Sequence, residues 1–385
     1  MDETSAPILE IGAILLAAAA GGWLARRVGL PAIVGYLLVG LGVSPFTPGY
    51  VADHHQLELL ADVGVVLLLF EVGIEVDLER LRRDHGPLLW AAPLQALLTT
   101  AIAGGAFLAV GLAPLSATVV GLCVALSSSV VIVNITRSRR RTTDRATEVG
   151  LLGWSVVQDL VGVALAAILL AALDSDRRSL PEALVGLAAF AVLAVVVARV
   201  LPLVLRRVRD QHDLFLITSV ASGLTVAGVG SVTFGVPLAL AAFVGGLAIV
   251  DSSEASEARR RLLPFRDVFA VLFFVAIGTL VDPSRLGAAL PSVALLLALI
   301  GVAKVAVVWL LARLAGLEVR PLQLAVGLGQ VGEFSFVLAS AAVAADAIDQ
   351  VLYVAIISTV AVSIAISSVA VRLVPVPAGQ AASAP

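Results

Sequence analysis

The sequence is poor in charged residues, aromatic residues, cysteine and lysine. Charged residues make up 14% of its 385 residues and hydrophobic residues 60%, whereas a soluble domain carries about 25% charge. The mean hydropathy is +1.05. This composition excludes a soluble enzyme, a disordered protein and a nucleic-acid binder, and it indicates an all-α polytopic membrane protein. With Cys123 as the single cysteine, an internal disulfide is excluded as well.

The hydrophobic runs divide the chain into thirteen segments, and the arginines support that count. The connections after odd-numbered segments, together with the C-terminus, hold 19 of the 24 arginines, and the alternate connections hold three. By the positive-inside rule, this alternation predicts thirteen spans, with the N-terminus outside and the C-terminus in the cytoplasm. The segments, numbered 1 to 13 in order, are 7–25, 31–44, 56–77, 87–111, 114–136, 146–172, 181–207, 213–231, 235–250, 262–281, 285–315, 319–343 and 347–374.

Two charged residues fall near the centres of apolar segments, where an unpaired charge costs about 2.5–3.5 kcal/mol or more. Asp159 lies in segment 6, and Lys304, the only lysine, lies in segment 11. We predict that they pair, either as a structural ion pair or as a site that exchanges cations and protons. Gln158 favours the second interpretation because its carbonyl oxygen is a neutral ligand of the kind that a hard cation takes.

Two other segments carry polar interruptions that predict broken helices. Segment 12 contains Gly329, Gln330, Gly332 and Glu333, and its glycines allow the helix to unwind. Broken helices are tolerated in a membrane where they line a cavity, and they offer free carbonyls to ions. Segment 5 is interrupted by polar residues without glycine or proline, so its serines could instead bond back to an intact helix. These residues are Ser127, Ser128, Ser129 and Asn134.

The order of these features predicts an inverted repeat. Segments 5 and 12 are seven apart, and an odd offset makes the two halves of the chain run in opposite directions through the membrane. Secondary transporters use this design and place their site where two broken helices cross. Segment 3 adds Glu71 and Glu75, which share one helix face. We expect a structural role or a place in an access funnel for both.

Seven stretches together resemble the cation:proton antiporter-2 family, and within it the membrane domain of Kef-type potassium/proton antiporters. The resemblance covers nearly the whole chain in order. It implies a sodium/proton antiporter-like fold of thirteen helices, with a cation and proton site at Asp159, Gln158, Ser127 and Ser128, and Lys304 as ion-pair partner. The stretches are GYLLVGLGVSP, GVVLLLFEVGIEVDLERLR, ALSSSVVIVNI, Gln158-Asp159, PLALAAFVGGLAI, LLPFRDVFAVLFFVAIGTLVD and GQVGEFSFVLA.

The resemblance also implies that residues 1–374 divide into a scaffold and a moving core. Residues 1–86 and 213–284 are expected to form a dimer scaffold, and residues 87–172 and 285–374 a moving core. Full-length Kef proteins continue into a cytosolic nucleotide-binding domain. We expect no such domain in residues 1–385, and we expect residues 375–385 to form a disordered tail.

We therefore expect a bacterial inner-membrane homodimer that exchanges a monovalent cation, preferably K⁺, for H⁺ with electroneutral 1:1 stoichiometry. We expect no enzymatic activity and no cofactor, and we expect the cation, the proton and membrane lipid as partners. Two alternatives stay open. One is Na⁺/H⁺ exchange, and the other is a channel-like or sensor module that acts with a separate cytosolic regulatory subunit.

Overall fold

Helices and the connections between them make up the part of the chain that the structure describes. The computed structural model describes residues 5–30, 32–47, 54–75, 86–137, 142–173, 180–236, 238–250, 252–332 and 334–374, and it contains no strand in them. A short 3₁₀ turn, Pro283–Arg285, precedes α12. The α-helices in these ranges are α1 Ser5–Arg27, α2 Ala32–Gly42, α3 His54–Glu75, α4 Leu88–Ala109, α5 Pro114–Ala125, α6 Ser129–Arg137, α7 Arg145–Leu173, α8 Leu180–Arg207, α9 His212–Phe234, α10 Leu238–Leu247, α11 Ala255–Thr279, α12 Leu286–Ala298, α13 Val305–Leu314, α14 Pro321–Leu328, α15 Phe334–Ala344 and α16 Gln350–Leu373.

Each of the thirteen predicted segments coincides with one helix, with a pair of short helices, or with one helix that contains a wider turn. In the described part of the chain, eight helices are long and apolar enough to cross a membrane. The protein is therefore a multi-pass membrane protein of the predicted all-α class. The wider turn was not predicted: in segment 11, residues Leu299–Lys304 form a π-helix between α12 and α13.

Segments 5 and 12 are interrupted where their polar residues lie. In segment 5, α5 ends at Ala125 and α6 begins at Ser129, and Leu126 has an extended backbone. We call residues 126–128 the first break. In segment 12, α14 ends at Leu328 and α15 begins at Phe334. Residues 329–333 form the second break, of which Glu333 lies outside the described residues. The predicted interruptions of both helices are confirmed.

The chain divides into two compact units. Unit 1 comprises residues 1–27, 32–78 and 170–283, and unit 2 comprises residues 28–31, 79–169 and 284–385. Helix α8, which the sequence assigned to neither scaffold nor core, falls in unit 1. The roles of scaffold and core stay predictions, and so does the disorder of residues 375–385, which lie outside the described residues.

Two of the close helix contacts in unit 1 pair glycines from segments on either side of the proposed repeat. A Cβ atom on Gly40 of α2 would lie 2.8 Å from the Cα of Gly278 on α11, and one on Gly73 of α3 would lie 2.9 Å from the Cα of Gly246 on α10. Only glycine allows backbones to approach this closely. The first pair joins segments 2 and 10, and the second joins segments 3 and 9. Seven segments separate 2 from 9 and 3 from 10. An inverted repeat therefore relates the contact between segments 2 and 10 to the contact between segments 9 and 3.

In unit 2, helix α4 packs along α5 at backbone distance. A Cβ atom on Gly121 of α5 would lie 2.3 Å from the carbonyl oxygen of Thr100 on α4. This approach brings the side chains of α4 within reach of the first break. Helix α13 packs on α14 in the same unit, and α16 packs on α15.

Candidate ion-binding site at two helix breaks

The two breaks of unit 2 are hydrogen-bonded directly to each other. The backbone N–H of Gly332 donates to the carbonyl oxygen of Leu126 over 3.0 Å, and the Ser127 hydroxyl donates to the carbonyl oxygen of Leu328 over 2.8 Å. A Cβ atom on Gly332 would lie 2.6 Å from the carbonyl carbon of Ser127, so the approach requires glycine there. Each break therefore supplies partners for polar groups that the end of the other helix leaves unpaired.

Gln330 of the second break holds the first break through its side-chain amide. Its Nε2 donates to the carbonyl oxygen of Ser128 over 3.2 Å, and its Oε1 accepts from the N–H of the same residue over 3.0 Å. The Ser128 hydroxyl in turn accepts from the N–H of Val131 over 3.3 Å, which caps α6 at its third residue. One amide thus satisfies both backbone groups of a buried serine.

Gln158 of α7 holds the other side of the first break. Its Oε1 accepts from the backbone N–H of Ser127 over 2.9 Å. Its Nε2 donates to the carbonyl oxygen of Ala125 over 2.9 Å and to Oε1 of Gln95 over 2.5 Å. A carbonyl oxygen has two lone pairs, so Gln158 retains one acceptor position beyond its bond to Ser127.

Asp159 follows Gln158 on α7 and is 3% exposed. Successive helical residues point about 100° apart, so Asp159 lies on the neighbouring face of α7. The face that contacts the first break is marked by Gln158 and by Gly162, where a Cβ atom would lie 2.6 Å from a methyl group of Leu126. The predicted carrier is thus a buried carboxyl group adjoining the amide that contacts the break.

Lys304 connects the two breaks from the end of the π-helix. Its side chain is fully buried, and its Nζ donates to the carbonyl oxygens of Leu126 over 3.0 Å and of Gln330 over 2.6 Å. π-Helical turns are frequent at functional sites, and here the turn ends at Lys304, whose ammonium group contacts both breaks. The ion pair between Lys304 and Asp159 stays a prediction.

The other predicted site residues differ in how far the structure describes them. Ser129 is half-buried at the first turn of α6, and Gly329 directly follows the end of α14. The side chains of Asn134 and Glu75, and the whole of Glu333, lie outside the described residues. Their predicted supporting and access roles stay predictions.

Four polar residues near the breaks were not predicted. Gln95 of α4 and Trp154 of α7 adjoin Gln158, because the Trp154 indole N–H donates to Gln95 Oε1 over 3.3 Å. Ser363 of α16 accepts from the backbone N–H of Val331 over 3.1 Å. Ser367, one turn further along α16, donates to the carbonyl oxygen of Val326 at the end of α14 over 2.8 Å. A lone glutamine in apolar segment 4 was the available signal for Gln95.

Unit 1 holds Glu71 in a buried ion-pair cluster. Glu71 is 1% exposed and accepts from Nε of Arg259 at 2.5 Å and from the guanidinium of Arg266 at 2.8 Å. The side chains of Arg259 and Arg266 are about one-third and one-quarter exposed, whereas that of Glu71 is buried. This geometry fits the structural role expected for Glu71, and the access funnel stays a prediction.

A second buried carboxylate, Glu254, precedes α11 in unit 1. Burial raises its pKa, but the Ser253 hydroxyl that donates to it and the charge of Arg206 outweigh burial, so the pKa lies below its usual value. Nε of Arg206 is 3.5 Å from Glu254 Oε1 and Arg209 is 3.9 Å away. The carboxylate therefore joins the C-terminal end of α8 to the start of α11.

Comparison with known proteins gives one family and two informative relatives. The family described as "Sodium/hydrogen exchanger, transmembrane" matches residues 14–374. YbaL of Escherichia coli (strain K12), provisionally named a cation/proton antiporter, is 32% identical over 358 residues; these cover 88% of this chain and 63% of YbaL. The structure of the sodium proton antiporter MjNhaP1 from Methanocaldococcus jannaschii at pH 8 matches with a TM-score of 0.75 and 19% identity, covering 96% of this chain and 98% of that one. The predicted antiporter-like fold is thereby confirmed.

Proposed function

Since the chain belongs to the transmembrane sodium/hydrogen exchanger family, we propose that it is a secondary antiporter that exchanges K⁺ for H⁺. The chain spans 63% of the length of YbaL, so the proposal concerns the exchange carried out by the membrane part described above. Exchange of a monovalent cation for a proton agrees with the family and with the names of both relatives.

One observation carries the proposal: a buried carboxyl group, Asp159, adjoins the amide that contacts the first of two crossed helix breaks. A buried carboxylate needs a compensating positive charge, and a proton or a monovalent cation supplies the same single charge. Asp159 can therefore hold one or the other, which is the basis of exchange. Gln158, Ser127 and Ser128 provide neutral oxygens within the same crossing.

Lys304 is proposed to compete with the cation for Asp159. In the structure, its ammonium group bridges the carbonyl oxygens of Leu126 and Gln330. An ammonium group held at the crossing is placed to neutralise Asp159 when the cation and the proton are both absent. Alternating access would then expose Asp159 to one side of the membrane at a time, with residues 87–172 and 285–374 moving against the scaffold of a homodimer.

The choice of K⁺ and the stoichiometry both follow from Gln158. The Gln158-Asp159 pair resembles that of Kef-type potassium/proton antiporters, whereas electrogenic sodium exchangers have two carboxylates at these positions. One titratable carboxyl group releases one proton as one monovalent cation arrives, so the exchange is 1:1. We place the protein in a bacterial inner membrane with its C-terminus in the cytoplasm, where a separate regulatory subunit could bind.

Proteoliposomes with an internal pH dye test this function. Addition of K⁺ to vesicles that contain the wild-type protein should move protons, and Asp159→Asn should abolish the movement without loss of monodisperse protein. Asp267→Asn is the matched control because Asp267 is two-thirds exposed and lies in unit 1. Proton movement in Asp159→Asn would refute the assignment of the carrier.

The same vesicles separate the alternatives. A stronger response to Na⁺ than to K⁺, with Li⁺ and Rb⁺ as further probes, would replace potassium by sodium as the substrate. Cation flux far above carrier rates would indicate a channel, and absence of any flux a sensor. A steady-state pH gradient that shifts with a clamped membrane potential would show that net charge moves, because one charge across 100 mV is equivalent to about 2.3 kcal/mol.

A further inference from the structure

We infer that Gln95 is a positioning residue that fixes the orientation of the Gln158 side-chain amide and so keeps its oxygen at the first break. This inference rests on the proposed function, because it concerns a proposed cation ligand. Gln95 lies on α4, is fully buried, and touches neither Asp159 nor Lys304 through any hydrogen bond of its own side chain.

The chemistry of the partners allows only one orientation of both amides. The Trp154 indole N–H can only donate, so the atom of Gln95 that it meets is the carbonyl oxygen. That oxygen also faces Gln158, which must therefore present its amino group. At the far end, the backbone N–H of Ser127 can only donate, so it meets the carbonyl oxygen of Gln158.

The carbonyl oxygen of Ala125 requires the same orientation of both amides. It can only accept, and it receives Nε2 of Gln95 over 3.2 Å and Nε2 of Gln158 over 2.9 Å. The remaining N–H of Gln95 donates to the Thr99 hydroxyl over 3.1 Å. A flip of either amide would face donors with donors and acceptors with acceptors, so the network locks the Gln158 oxygen in place.

The fixed orientation of the Gln158 amide should affect cation affinity. If Gln95 could not accept from Gln158, the amino group of Gln158 would lose one of its two acceptors, and the amide could rotate away from Ser127. The neutral oxygen beside Asp159 would then be presented for only part of the time. Because the change acts on the ligand and leaves the carboxyl group in place, apparent affinity for the cation should fall more than the maximal rate.

The test compares Gln95→Met, which keeps length but removes every polar atom, with Gln95→Glu, whose carboxyl oxygen can still accept from Trp154 and Gln158. Gln323→Met is the matched control: Gln323 is also fully buried in unit 2, but it donates to Thr142 and to the carbonyl oxygen of Val371, away from the breaks. Apparent KM for K⁺ and the maximal rate are measured in proteoliposomes.

We expect Gln95→Met to raise apparent KM about tenfold, the equivalent of about 1.4 kcal/mol, with the maximal rate within about threefold of wild type. Gln95→Glu should recover most of the affinity, and Gln323→Met should match wild type. If Gln95→Met does not fold, Gln95→Asn, which is one methylene too short to span its partners, should give the same rise in KM.

A spectroscopic readout checks the lock without transport. The protein has four tryptophans, so labelling with ¹⁵N-tryptophan gives few indole signals, and Trp154→Phe identifies that of Trp154. Its ¹H shift should move upfield in Gln95→Met and stay near its wild-type position in Gln95→Glu. An unmoved signal, or an unchanged KM in folded Gln95→Met, would overturn the inference. Absence of exchange by the wild-type protein would instead refute the proposed function and leave the indole result to decide the orientation.

Discussion

The cluster of Glu71, Arg259 and Arg266 predicts an asymmetric response to removal of its members. Replacing both arginines by alanine would leave a carboxylate that is 1% exposed without its two cations. Removal of one side of a buried ion pair costs about 3–5 kcal/mol. We expect about 3 kcal/mol, at the lower end, because both arginines are partly solvated and their ion pairs are therefore partly screened.

Removal of the carboxylate should be much milder. Glu71→Leu leaves two arginines whose side chains are about one-third and one-quarter exposed and can turn their charged ends towards water. Replacement of a buried charge by an apolar side chain is often neutral, so we expect a change within about 1 kcal/mol. The triple variant, Glu71→Leu with both arginines changed to alanine, should recover most of the stability that the double arginine variant loses.

Melting temperatures in detergent micelles measure this series. A loss of about 3 kcal/mol corresponds to a fall of roughly 4 °C for a chain of this size. Equal losses in Glu71→Leu and in the double arginine variant, or no recovery in the triple variant, would refute the reasoning. The apparent KM of Glu71→Leu separates the two expected roles: an unchanged KM indicates a structural ion pair, and a raised KM supports an access funnel.

Three further predictions concern the breaks and a buried carboxylate. Lys304→Ala removes the donor that bridges Leu126 and Gln330, and it should lower the melting temperature and shift the pH profile of exchange. Gln330→Leu removes the side-chain partner of the Ser128 N–H and C=O, which should destabilise the protein by about 2 kcal/mol or more. Gln330→Glu keeps an acceptor for the N–H, so its melting temperature should lie between those of wild type and Gln330→Leu. Glu254 has a lowered pKa, so its stabilising effect is complete above the usual carboxyl pKa and is lost as pH falls through the lowered value. The difference in melting temperature between wild type and Glu254→Gln should therefore shrink as the pH falls below the usual carboxyl range.

The spans and the second break could be predicted from the sequence because each depends on local composition. A membrane span needs about 20 apolar residues, and that requirement is met or missed within one stretch of chain. Gly329 and Gly332 weaken a helix by backbone freedom that is intrinsic to glycine. The alternation of arginines also predicts the orientation in the membrane, because the positive-inside rule applies to each loop separately; this orientation stays a prediction.

Local sequence did not by itself predict the first break. Residues 126–128 include neither glycine nor proline, so propensity alone did not distinguish a break from an intact helix with back-bonded serines. In the structure, the polar groups of the break are satisfied by Gln158, Gln330 and Lys304, which lie 31 to 202 residues away from their partners in sequence. These tertiary contacts stabilise the break. They join residues that are far apart in sequence, so local propensity does not predict them.

The sequence by itself thus determined the class of protein, the positions of its apolar segments and the charged residues that lie within them. Only the tertiary structure decided what those residues touch. The bonds of Lys304 to the carbonyls of both breaks were not predicted, and neither was Gln95. The physical reason is that hydrophobicity and charge act on each residue separately, whereas a hydrogen bond requires two groups at about 3 Å in a defined direction, and only the folded chain sets that distance.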